Sequence, residues 1–109
     1  MKKEIYRSFE GALNADTRYG YIIYDMGDLL EIESLSSEMD VQDSYFRVPK
    51  SLLPADKYGD LALIGELHQA ADDGVYDDAQ TMWRGKWYKG STIRKIQESN
   101  RDYYWRRYI

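Results

Sequence analysis

Tyr21-Ile22-Ile23-Tyr24-Asp25-Met26-Gly27-Asp28-Leu29-Leu30-Glu31-Ile32-Glu33 is the stretch that decides the fold. It opens on β-branched and aromatic residues. Leu30 and Ile32 then alternate with Glu31 and Glu33 at the period of two that sends apolar side chains to one sheet face and acids to the other. Gly27 lies between the two runs, where a tight turn needs a positive φ, so the stretch predicts a hairpin. Ile5-Tyr6-Arg7-Ser8-Phe9 supplies a strand before it. Ser44-Tyr45-Phe46-Arg47-Val48 supplies one after it, stopped by Pro49, which has no N–H to give a ladder. The short links predict an antiparallel meander of three or four strands before Val48.

Beyond Pro54 the period changes. Leu61, Ile64, Leu67 and Ala71 step by three, three and four, which predicts a helix from about Asp60 to Asp72 with all four on its buried side. Asp60 is placed to cap it and Gly74 to end it. Gly90-Ser91 opens a second helix from about Ser91, with Ile93, Ile96, Asn100, Tyr103 and Tyr104 at helical spacing. Between the helices, 75–89 reads equally as a short helical turn capped by Asp77 or Asp78 and as a tight aromatic turn or hairpin over Met82-Trp83-Arg84-Gly85-Lys86-Trp87-Tyr88. The expected fold is therefore α+β: one small domain spanning 1–109, an antiparallel sheet in the N-terminal half and two helices after it.

Leu, Ile, Val and Phe number 22 of 109 residues, close to the composition at which highly charged chains stay unfolded, but 11 Tyr and 3 Trp restore the apolar area and the net charge is only −4. Order is expected. With no cysteine there is no disulfide, thiolate nucleophile or Cys-based zinc site. No run approaches a membrane span, and Met1-Lys2-Lys3 leads into Glu4 rather than an apolar stretch, so neither a span nor a secretory signal is expected and the chain reads as cytoplasmic.

Charge is segregated. Residues 1–80 carry 17 acids against 7 bases, and 81–109 carry 2 against 8. Two candidate binding surfaces follow. The acidic one joins Glu31 and Glu33, Glu38, Asp40 and Asp43 to the Asp72, Asp73, Asp77, Asp78 cluster, a row of carboxylates able to stand in for phosphates on a positively charged partner. Asp72 and Asp73 fall where a helix macrodipole disfavours anions by about 0.3–1 kcal/mol each, a cost that points to a partner or to an earlier helix end. The basic one interleaves Arg84, Lys86, Lys89 and Arg94 with Trp83, Trp87 and Tyr88, and then Arg106 and Arg107 with Trp105, a mixture suited to phosphate contact and base stacking.

Catalytic signatures are sparse. His68 is the single histidine and lies one step off the helical stripe, and no strained serine elbow, phosphate-cradling glycine loop or EF-hand spacing is present. Tyr19–Tyr24 lacks the second tripeptide of the GIY-YIG nucleases. No catalytic residue, cofactor or metal is expected. The leading expectation is a small acidic protein-binding module, an inhibitor of phage or mobile-element type that blocks a nucleic-acid-processing host complex in the anti-CRISPR manner, partly by nucleic-acid mimicry. Its expected contacts are Glu31, Glu33, Asp72, Asp73, Asp77 and Asp78 together with Trp83, Trp87, Tyr88, Trp105, Arg106 and Arg107. The alternative is a nucleic-acid-binding accessory domain that uses the basic aromatic segment. A membrane partner is not expected.

Overall fold

A computed structural model describes residues 2–10, 19–36 and 44–107, apart from the side chains of 10, 19, 36 and 101–107. Strands β1 (Lys3–Glu10), β2 (Tyr19–Asp25), β3 (Leu29–Ser36) and β4 (Ser44–Pro49) lead through two short 3-10 turns to α1 (Leu61–Asp72); β5 (Gln80–Trp83), β6 (Lys86–Lys89) and α2 (Gly90–Arg107) follow. All six strands form one antiparallel sheet in the order β1-β2-β3-β4-β5-β6. The α+β class and the meander agree with the sequence reading. The strand count does not: 75–89 contributes a hairpin rather than a helical turn, and α1 comes before the last two strands instead of after the sheet. Among the described residues, no helix is long and apolar enough to cross a membrane.

The β2–β3 turn forms as expected. Gly27 takes φ 96°, its N–H donates to Asp25 Oδ1 at 2.8 Å, and Lys50 Nζ meets the same oxygen at 2.9 Å. Lys50, then the Gly27 N–H, hold the Asp25 carboxyl below its ordinary pKa. In β1 the register slips between Glu4 and Tyr6. That bulge brings Glu4 and Arg7, three residues apart, to the same face, where Arg7 Nε and Nη2 reach the carboxylate at 2.6 and 3.0 Å.

Tyr21, Ile23, Leu30, Ile32, Phe46 and Val48 make the inner face of the sheet, and α1 lays Ile64, Leu67 and Ala71 across it. Asp60 Oδ1 accepts from the Leu63 N–H at 3.1 Å, the cap that the sequence proposed. Leu61 corrects the expected stripe, being 45% exposed. It belongs to the first turn and borders a shallow groove beside Ser8, Gly20 and Leu35, so the buried run starts one turn later, at Ile64.

α1 ends in a Schellman motif: Gly74 takes φ 68°, its N–H donates to Ala71 O at 3.1 Å, and the Val75 N–H donates to Ala70 O at 2.9 Å. The chain then turns back so tightly that a Cβ at Gly90 would sit 1.9 Å from Tyr76 O, and one at Gly74 would sit 2.6 Å from Gly90 O. Arg94 clasps this connection, donating to Gly74 O at 2.5 Å and pairing with Asp77. Gly90→Ala is expected to lower the free energy of unfolding by about 1–3 kcal/mol through overpacking. Gly65→Ala, in the middle of α1 with open space around it, is expected to raise it by roughly 0.5–1 kcal/mol. Denaturant titration of the two variants measures both signs.

Tyr21 lies 2% exposed, stacked on Tyr6 with ring centroids 5.9 Å apart, and its hydroxyl donates to the Tyr58 carbonyl. Burial, then the neighbouring Tyr6, push its pKa from the ordinary 10.0 up to about 12. Over that window the folded chain keeps a proton that the unfolded chain releases. Stability from this site is thus full below the ordinary value and is lost as pH rises through the folded one. Ultraviolet titration is expected to show one tyrosine ionising near pH 12, and Tyr21→Phe is expected to abolish both that late step and the matching loss of stability.

Candidate interaction site

The outer face of the sheet consumes two of the acids that the sequence offered to a partner. Tyr24, Glu31 and Arg47 stand abreast on β2, β3 and β4. Glu31 is 3% exposed; Oε1 accepts from Arg47 Nε and Nη2 at 3.2 and 3.0 Å, and Lys2 Nζ lies 2.5 Å from Oε2. That second oxygen takes no directional hydrogen bond, so the ammonium neutralises it by proximity. The cations are themselves sandwiched, with Arg47 3.8 Å above the Trp87 ring and Lys2 4.2 Å from the Tyr24 ring centre. Glu33 accepts from the Tyr24 and Tyr45 hydroxyls at 3.1 and 3.0 Å. Glu31, Glu33 and Trp87 therefore belong to one internally matched network.

The aspartates lie on the opposite, helix-bearing side. Asp72 Oδ1 accepts from Thr81 Oγ1 at 3.3 Å, Asp73 Oδ2 from Gln69 Nε2 at 3.0 Å, and Asp77 pairs with Arg94, while Asp78 is exposed. Local donors thus answer the unfavourable macrodipole at the end of α1. Because strand alternation sends Glu31 and Glu33 away from the helices, these acids and the aspartates do not form one continuous row. Glu38, Asp40 and Asp43 lie outside the described residues.

Sequence distance concealed a polar cluster at the end of α1. Ser44 Oγ is 2.9 Å from His68 Nε2, Asp72 Oδ2 is 3.6 Å from the same nitrogen, and the imidazole stacks on Phe46 with centroids 4.7 Å apart. A Ser-His-Asp relay places the carboxylate on the other ring nitrogen, where it fixes the tautomer, so this cluster is not arranged as one. Among the described residues no three His, Cys, Asp or Glu side chains gather as a metal site.

Beside that cluster an apolar groove of about 500 Å³ opens between the β5–β6 hairpin and α2. Thr81, Trp83 and Tyr88 come from the inner face of the hairpin; Ile93, Ile96, Gln97 and Asn100 come from α2 at the spacing of one helical stripe. Ser44 and Asp72 line it as well. Trp83 is 54% exposed, with its ring edge-on to Tyr88 at 5.9 Å, and Ile96, which lines the groove from α2, is 42% exposed. The sequence offered Trp83 and Tyr88 as candidate contact residues, and both line this groove. The facing Ile93–Ile96 wall was legible only as helical periodicity. Trp105, Arg106 and Arg107 fall within α2, but their side chains lie outside the described residues.

No protein-family model, curated protein or solved structure matches the chain.

Removing Arg47 strips the buried Glu31 carboxylate of the hydrogen bonds on Oε1 and leaves Lys2 as its remaining counter-charge, so Arg47→Ala is expected to cost roughly 3 kcal/mol. Glu31→Ala with Arg47→Ala is expected to cost less than the two single changes together. Unfolding of the three variants in denaturant measures the coupling.

Proposed function

We propose that the protein works by binding another protein, and that its partner enters the groove between the β5–β6 hairpin and α2. The observation that carries this reading is Trp83, more than half exposed in the lining of an apolar groove that it shares with Ile96, itself 42% exposed. Large apolar side chains left in water beside a concave surface are what a protein interface covers, and Trp is among the residues that dominate binding energy once covered. The groove offers a better basis than the acids, since Glu31 and Glu33 are already matched on the far face. Blocking a nucleic-acid-processing complex is the finer form of this proposal, and the identity of the partner decides it.

Affinity capture with the intact chain, run beside Trp83→Ala and Ile96→Asp, tests the reading. A protein retained by the parent and lost by both variants is the expected result. Equal retention by all three, or recovery of RNA or DNA in place of protein, overturns it.

A further inference from the structure

Trp83, which lines this groove, is followed in the chain by an arginine with two properties that the other arginines with described side chains lack. Arg7 meets Glu4, Arg47 meets Glu31 and Arg94 meets Asp77, whereas Arg84 meets no carboxylate among the described residues. It also takes φ 51°, followed by Gly85 at 78°, which makes Trp83–Lys86 a hairpin turn with both central residues in the left-handed region. Gly85 is suited to that conformation. An arginine at the first central position is not, because its Cβ crowds the backbone where Asn or Gly would be at ease. The guanidinium lies 4.5 Å from the centre of the exposed Trp83 ring. Stacked in this way it keeps its N–H fork available at the edge. Lys86, opposite Trp83 in the register, is a second exposed cation in the same turn, and from Ala79 to Gln97 the sequence holds no Asp or Glu to neutralise either.

We infer that the partner segment received by the groove is acidic: an apolar side chain enters between Trp83 and Ile96, and a carboxylate beside it takes the Arg84 fork, with Lys86 in support. This rests on the proposal that the groove binds protein. A carboxylate suits the site because Arg presents paired donors in the geometry that its two oxygens accept. The apolar walls favour a peptide over a phosphate backbone, which would leave Ile93 and Ile96 uncovered.

Selection of a displayed random-peptide library on the immobilised intact chain tests the inference. The enriched peptides are expected to join a large apolar residue to a nearby Asp or Glu, and one synthesised representative is expected to lose binding in Trp83→Ala. Arg84→Asn removes the charge yet suits the turn, so it is expected to raise the melting temperature while weakening that peptide by about tenfold or more, the scale of a charge-assisted contact. Peptides that need Trp83 but are neutral or basic, or that bind Arg84→Asn as tightly as the parent, overturn the acidic partner and leave the groove reading standing. Failure to enrich any Trp83-dependent peptide overturns both. Tighter, Arg84-dependent binding of a single-stranded DNA oligonucleotide overturns the inference in favour of nucleic acid.

Discussion

The contact between the backbones at Gly74 and Gly90 is the constraint on which the helix side of the molecule depends. Between the end of α1 and the start of β5 the chain must reverse, return to the open edge of β4 and still leave room for α2 to start directly after β6. It does so because neither glycine has a side chain to hold the segments apart and because Gly74 accepts a left-handed conformation. Arg94 then ties α2 to the same connection. The two walls of the groove, the β5–β6 hairpin and α2, both follow this connection in the chain.

The two faces of the sheet use similar residues for opposite ends. On the outer face, arginine, lysine, glutamate, tyrosine and tryptophan satisfy one another, so a carboxylate is held at 3% exposure without a covering layer. Such a network is worth its desolvation only when every member is matched, which is why it resists reuse as a binding surface. At the groove, Trp83, Arg84 and Lys86 are left unmatched by any described carboxylate. Net charge conceals this difference. An overall −4 describes neither the neutral outer face nor the cationic tip of the hairpin.

Much of the fold was legible because it is written in local periods. The alternation around Leu30 and Ile32, the Gly27 turn, the Asp60 cap and the Gly74 stop all depend on near neighbours in the chain. Residues 75–89 were not, since Met82-Trp83-Arg84-Gly85-Lys86-Trp87 offers aromatics to either structure and its turn places an arginine where sequence patterns favour Asn. The site was legible in its residue types more than in its geometry. Trp83 and Tyr88 were offered as candidate contact aromatics and share the groove, but Trp87 carries the same chemistry and faces the other way, because one step along a strand changes the face. The meeting of Ser44, His68 and Asp72 was beyond sequence reasoning, as Ser44 belongs to a strand 24 residues from His68.

The sheet order has a kinetic meaning. Each strand lies beside the strand that precedes it in the chain, so every pairing but β4–β5 joins segments close in sequence, and most of the ordering entropy is met in small steps of loop closure. Sheets that interleave early and late strands must close large loops before their contacts reward them, and they fold slowly with edges exposed in the meantime. Here the helix is the one long excursion, from β4 to β5, and its end is shaped by its own Schellman motif rather than by the strands it reaches. The chain can therefore lengthen its sheet strand by strand, with the hairpin that bears Trp83 and Arg84 added last onto an edge already formed by β4.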